Sequence, residues 1–454
     1  MKISTNTPMT SDEEYDLAVE DTRPVPAIAH ALGRRSWMVA GILFVAALLS
    51  LFAIQKLFHM GHFGVSNAPH FIYQADAFLQ GRWDVSLPAN LTDVVVIHGK
   101  DYIIYPPFPA LLLLPFVAIW GFSTSDILFT AVCSALCLSL LYLLFEQARV
   151  SGLTRRTWRE NVYIAVLCYY GSITLWLSLG GRVWFTAHIV AYMMALLSLL
   201  LAFRRRYTWA VVALAGAFFS RSTLLAGFPL LLYLAWEDGG RASLLPDFVR
   251  SLWRRQPDWS AIPWRRLMGP AAATLVVAIL YLAHNQLLFG SPLETGYTFN
   301  IQQHYPQITQ GIFSIRYVPG NIVLNFFSFP HIILQGPFDR HPVIDMINGG
   351  YGISVFFTTP LFLLLFWRNQ KFSWLRTALW ITIGLIVVQV LFFNAAGWYQ
   401  FGARYLFEAY PYAFLLLVLN DVRVDWRFAV LGALGVIVNV AGAHQFWTGH
   451  LFRV

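Results

Sequence analysis

Four aspartates, Asp76, Asp84, Asp93 and Asp101, fall in the stretch 62–115, which turns apolar after Tyr105-Pro106-Pro107. A carboxylate at the edge of a loop can act as general base on an incoming hydroxyl. In QADAFLQGRWDV a short helix over 70–80 puts Tyr73, Asp76 and Gln80 on one face. Asp76 is therefore the first candidate base and Asp84 the second. Asp93 and Asp101 rank behind them, and for all four the plain alternative is a loop carboxylate that is solvated or caps a helix. A second group of residues is cationic. Arg404 in GWYQFGARYLFEAYPY and Arg221 in FFSRSTLL suit a phosphate, which guanidinium binds bidentately. Lys100 and Tyr105 can add phosphate contacts, and Arg182 and His188 are candidate neighbours of Arg221. Arg404 has a plain structural alternative, an ion pair with Glu408 at i+4. Glu294 in NQLLFGSPLETGY can bind sugar hydroxyls.

Other chemistries leave no mark. There is no G-x-x-x-x-G-K-[ST], no H-E-x-x-H and no G-x-S-x-G. The three cysteines, Cys133, Cys137 and Cys168, lie in apolar segments and make neither a disulfide framework nor a metal cluster. No metal site is expected.

The elements that must position these residues are membrane helices. The 454 residues are 57% hydrophobic and only 12% charged, where soluble chains carry about 25% charged residues. That balance defines an all-α, polytopic membrane protein. The pattern predicts about eleven spans. They lie at 37–58, 125–147, 162–179, 183–203, two short and re-entrant pieces within 208–236, 267–288, 352–367, 375–393, 405–419 and 428–446. The apolar run 108–122 is too short to cross and begins Phe108-Pro109, so it reads as an interfacial helix. Arg221 then sits at the tip of the 208–236 pair, at membrane depth, where a charge is costly unless protein or water surrounds it. With this topology 22 of the 31 Lys and Arg residues fall on the side of the N-terminus. The positive-inside rule makes that side cytoplasmic and leaves the C-terminus periplasmic. The net charge of +8 is thus a topology signal and needs no nucleic acid. Residues 1–35 read as an acidic, disordered cytoplasmic tail. Residues 36–454 form one transmembrane domain, with outer loops 59–124, 289–350 and 394–404 building the active face.

Four stretches, taken in order, resemble the GT-C superfamily of polytopic glycosyltransferases that use a polyprenyl-phosphate sugar. They are ADAFLQGRWDV, GKDYIIYPPFPALLLLPFVAIWGF, LAGAFFSRSTLLAGFPLLL and GWYQFGARYLFEAYPY. The resemblance is nearest to bacterial members related to the aminoarabinose and protein-mannosyl transferases. It implies an acidic residue of the first outer loop that deprotonates the acceptor, and basic residues that hold the donor phosphate. The family's early acidic residue aligns near Asn67-Ala68, and the basic residue that often precedes the Pro-Pro pair is Tyr105 here. The expectation is Asp76 as base, with phosphate held by Lys100, Arg221 or Arg404, in an inverting transfer at the periplasmic face of a bacterial inner membrane. The implied partners are a polyprenyl-phosphate sugar donor, a glycan, lipid or protein acceptor, and the bilayer. No cofactor is firmly implied, and a requirement for a divalent cation stays open. The alternative is a transporter or lipid flippase without covalent chemistry. A third reading is a non-catalytic membrane scaffold.

Overall fold

A computed structural model describes residues 31–61, 63–86, 93–237, 254, 262–335, 341–366, 373–395, 397–449 and 452–453. Most of the expected tail, and most of the arginine-bearing segment 237–266, lie outside the described residues. Among those described, six helices are long and apolar enough to cross a membrane. They are α1 (Arg34–Leu57), α4 (Asp126–Val150), α7 (Val183–Phe203), α10 (Trp264–Phe289), α14 (Trp374–Phe392) and α16 (Trp426–Thr448). The other helices used below are α2 (His70–Leu79), α3 (Phe108–Trp120), α5 (Trp158–Tyr170), α6 (Thr174–Ser178), α8 (Tyr207–Phe218), α9 (Gly227–Glu237), α11 (Tyr297–His304), α12 (Val318–Ile322), α13 (Val355–Thr358) and α15 (Tyr410–Leu419). The protein is all-α and polytopic, with α7 and α4 at the centre of the bundle and α1 and α10 on its outside.

The long helices share a basic end. Arg35, at the start of α1, stands 5.2 Å from the ring of Trp158, at the start of α5. Arg204, just past α7, stands 5.8 Å from the ring of Trp37. Glu146 accepts from Arg149 at 2.6 Å and from Asn161 at 3.0 Å. Arg156 and Arg376 donate to the carbonyls of Val422 and Leu419 at 2.6 and 2.7 Å. These carbonyls follow or close α15, so the cations satisfy acceptors that a helix end leaves open.

Three expected spans are not continuous α-helices. The 162–179 pass is split into α5 and α6 around Gly171. There the backbones of Gly171 and Gly435 meet so closely that a Cβ on Gly435 would come within 2.6 Å of the Gly171 carbonyl oxygen. Small residues permit this approach, and the helix break accommodates it. The 352–367 pass is α13 followed by a 3₁₀ segment from Pro360 to Phe366, and the 405–419 pass begins with a 3₁₀ segment, Arg404–Ala409. The 208–236 region is α8, then Ser220-Arg221, then a 3₁₀ turn Ser222–Ala226 and α9, with α8 and α9 packed together. The 108–122 run forms α3, 13 residues long, with Leu111, Phe116, Ile119 and Trp120 exposed along it.

At the end opposite the arginines the loops are tied to the helices and to one another. Ser66 donates its backbone N–H and its hydroxyl to Asp126, which opens α4. Strands β1 (Val94–Ile97) and β2 (Lys100–Ile103) form a hairpin with Val94 opposite Ile103. Its two turn residues, His98 and Gly99, have φ of 51° and 74°, the left-handed pair that a two-residue hairpin turn requires. The free edge of β1 is covered by α11. Gln303 accepts from Val96 N–H and donates to Val96 O, at 2.9 and 2.8 Å, and His304 meets Val94 O at 2.8 Å. The third loop pairs with the second through Ser314 N–H to Phe392 O and Asn394 N–H to Ile312 O, both 2.9 Å. A further antiparallel pair, β3 (His331–Gln335) with β4 (His341–Asp345), carries β5 (Phe452–Arg453) on its edge.

The two ends must face opposite sides of a membrane. Cys133, Cys137 and Cys168 are buried, so the wild type supplies no background for thiol labelling. A cysteine replacing exposed Leu293 is expected to react with an impermeant maleimide in intact cells. A cysteine replacing exposed Arg155 is expected to react only after permeabilisation. Equal labelling of both in intact cells would contradict the arrangement.

Candidate functional site

A polar cavity of about 640 Å³ lies at the loop end of the bundle. Its wall takes Asn67, His70, Asp93 and Tyr105 from the first loop, and Tyr297, Asn300 and Tyr305 from the second. Asn394, Trp398, Tyr399 and Arg404 come from the third. Arg182, Trp184 and His188, at the start of α7, and Arg221, at the break between α8 and α9, complete it.

The carboxylate in this wall is Asp93. It precedes β1 with φ of 63°, a left-handed conformation in which a non-glycine residue is uncommon. Two donors from different elements end on its Oδ2: Tyr105 Oη at 2.7 Å and Trp184 Nε1 at 2.9 Å. Burial, and then the Asp93 charge, hold the Tyr105 phenol well above its usual value, so it stays protonated and donates. The hairpin explains the meeting. With Val94 opposite Ile103, the residue before β1 is brought beside the chain leaving β2, two residues from Tyr105. The sequence signal was present in VVVIHGKDYII, whose His98-Gly99 turn sets equal arms. Read as a single strand-like piece, the stretch gives no reason to prefer Asp93.

The cationic side rests on one buried carboxylate, Glu408. Its Oε1 accepts from Arg221 Nε and meets His188 Nδ1, each at 2.8 Å. Its Oε2 has no hydrogen-bond partner among the described residues. The i+4 pair between Arg404 and Glu408 is not made. Arg404–Ala409 is a 3₁₀ segment, in which i and i+3 eclipse and i+4 is turned away. Arg404 is 6% exposed yet, among the described residues, makes no hydrogen bond or ion pair, and its Nε has no partner there. Its guanidinium lies 5.4 Å from the ring centre of Tyr405, and that of Arg221 lies 5.2 Å from the same ring. Arg182 stands 5.1 Å over Trp447. A buried cation without a counter-charge costs several kcal/mol, of order 3–5 where a partner has been removed, so this wall is suited to an anion.

Beside the polar cavity is an apolar one of about 440 Å³. Val277, Tyr281 and Leu282 of α10, Val390 of α14, and Phe218, Leu225 and Phe313 line it. Leu225 and Phe313 are exposed, so this cavity opens on the outside of the bundle, where hydrocarbon would lie. Arg221, Tyr297, Phe393 and Tyr405 belong to both cavities and form the seam between them. Burial pushes Tyr297 up to about 12, which keeps its hydroxyl protonated beside Arg221.

Of the residues singled out from sequence, Tyr105, Arg182, His188, Arg221, Arg404 and the lower-ranked Asp93 line the polar cavity. Asp76, Asp84, Lys100 and Glu294 do not. Asp76 accepts from Gln80 at 2.7 Å on the surface of α2. Asp84 pairs with Arg82 at 3.2 Å and Lys100 at 3.3 Å. Desolvation opposes the shift, but Lys100 and then Arg82 hold the Asp84 carboxyl below its usual range. Glu294 Oε1 accepts from the N–H groups of Thr295, Gly296 and Thr298, and so caps α11. Among the described residues no group of three or more His, Cys, Asp or Glu could hold a metal ion.

No family model and no curated protein matches the chain. A solved structure, the crystal structure of ArnT from Cupriavidus metallidurans bound to undecaprenyl phosphate, is similar to it at 15% identity and a TM-score of 0.47. The likeness covers 89% of this chain and 63% of that one, so this chain spans less than two thirds of that chain.

Gly296 holds the seam residue Tyr297 in place. It has φ of +81°, and a Cβ there would come within 2.9 Å of Phe289 and Ile104. Gly296→Ala is expected to destabilise the protein by about 1–3 kcal/mol, from backbone strain and overpacking together. Its thermal midpoint in detergent should fall, whereas Gly311→Ala, with a similar φ and no neighbour within 4 Å, should cost less. Equal losses would put the cost in the backbone alone.

Proposed function

We propose that the protein is a GT-C-type glycosyltransferase that moves a sugar from a polyprenyl-phosphate donor to an acceptor at the periplasmic face. The observation that carries this reading is the seam. A polar cavity with unpaired buried arginine meets an apolar cavity open to the lipid side, and Arg221 and Tyr405 stand where they join. A lipid-linked phosphate has the same two-part character, with a charged head and a hydrocarbon tail. A ligand confined to water would leave the apolar cavity without a role. A simple lipid would leave the arginines and Asp93 without one.

The chemistry follows from the placement. The acceptor hydroxyl gives its proton to Asp93 as its oxygen bonds the anomeric carbon. The bond from that carbon to the phosphate oxygen breaks, and the electron pair leaves on the phosphate. One displacement inverts the anomeric carbon. Tyr105 and Trp184 fix Oδ2 of Asp93, and Oδ1 has no hydrogen-bond partner among the described residues. Arg221 and Arg404 stabilise the charge that develops on the leaving phosphate. The base role thus passes from Asp76 to Asp93, because only Asp93 shares a cavity with the arginines. A carboxylate fixed by two donors in the same cavity as the arginines favours the transfer reading over a transporter or flippase.

Purified membranes, a panel of labelled polyprenyl-phosphate sugars and an acceptor-rich extract test this. Wild type is expected to transfer label. Asp93→Asn should lower transfer about 10²–10⁴-fold, the usual scale for a general base. Asp76→Asn should stay within a few-fold of wild type. Loss of transfer in Asp76→Asn with retention in Asp93→Asn would return the base to α2. Label moved across the bilayer without a new glycosidic bond would favour the flippase.

A further inference from the structure

Glu408 is unexpected in an anion site. It is 2% exposed, and it spends its charge on Arg221, one of the two arginines that flank Tyr405. A site built only to hold phosphate tightly would not bury a carboxylate there, since a like charge at this range repels the ligand. The reaction proposed above supplies a reason. The donor phosphate is a diester with one negative charge. The product is a monoester, which carries about −1.5 to −2 near neutral pH. Arg182, Arg221 and Arg404 set against Asp93 and Glu408 leave one net positive charge, which matches the donor; without Glu408 the site would carry two, which matches the product.

We infer that Glu408 is a positioning residue that tunes the phosphate clamp to the charge of the donor, so that the more highly charged lipid-phosphate product is released. This inference rests on the polyprenyl-phosphate reading. The geometry shows how one residue does two jobs. Oε1 alone takes both hydrogen bonds, orienting the Arg221 guanidinium by its Nε and fixing the His188 ring. Oε2 takes none, although it is buried. A glutamine can keep its carbonyl oxygen at the Oε1 position and place its amide nitrogen at the unused one. Glu408→Gln therefore removes the charge and leaves both orienting bonds, which separates the electrostatic role from the structural one.

The full-length protein in nanodiscs is titrated with undecaprenyl phosphate and with its methyl diester. The diester carries the donor's charge without requiring the sugar to be known. Wild type is expected to bind the two within about threefold of each other. In Glu408→Gln the monoester should tighten about tenfold and the diester much less, the scale of one extra charge felt across a partly buried site. In turnover, kcat should fall while kcat/KM changes little, because release and not bond-making is slowed. Equal tightening of both lipids, or weaker binding of both, would overturn the inference. So would a wild type that already binds the monoester more than about tenfold tighter than the diester, a comparison that holds even if the variant does not fold. A wild type that binds neither lipid would overturn the polyprenyl-phosphate reading itself, and this inference with it.

Discussion

A single carboxylate oxygen, Oε1 of Glu408, holds the Arg221 guanidinium and the His188 ring at once, in the wall of a cavity inside a helical bundle. Much of the surrounding structure follows from satisfying those charges away from water. Arg221 breaks the 208–236 region into two short helices, and it is tolerable there because Glu408 faces it. Glu408 can reach Arg221 because its own segment is a 3₁₀ turn. The same geometry turns it from Arg404, four residues earlier, and leaves that guanidinium unpaired. One backbone choice therefore satisfies one arginine and frees another.

The loops obey a second constraint. Backbone groups near a membrane surface must find partners, and an exposed strand edge is a liability. The β1 edge finds its partners in the side chains of Gln303 and His304, so the first loop is fastened to the second. The second is fastened to the third by the backbone pairs at Ser314 and Asn394. The polar cavity is the space enclosed by this chain of fastenings. Its wall carries the carboxylate of Asp93 together with the guanidinium groups of Arg404 and Arg221.

In the proposed reading the two cavities divide the work of recognition. The apolar one, open on the outside of the bundle, would take the hydrocarbon. The polar one carries more fixed charge than a neutral ligand could use. Aromatic residues at the seam, Tyr405 above all, present a face to each guanidinium.

The six long spans, the common basic end, the shortness of the 108–122 helix and the break at Arg221 were legible in the sequence. They follow from local quantities: the length of an apolar run against the thickness of a bilayer, the placing of Lys and Arg, and the cost of a charge at depth. Residue type also pointed to Arg221, Arg404, Tyr105 and His188, which prove to share a wall. The tertiary structure alone decided the rest. The partner of Glu408 depends on whether its segment is an α-helix or a 3₁₀ turn, and in the packed bundle it is the turn. The place of Asp93 depends on hairpin register and on a tryptophan 91 residues along the chain. Asp76 sits in as plausible a motif and ends on the surface, because hydrogen-bond partners are distributed by packing across the chain and not by spacing along it.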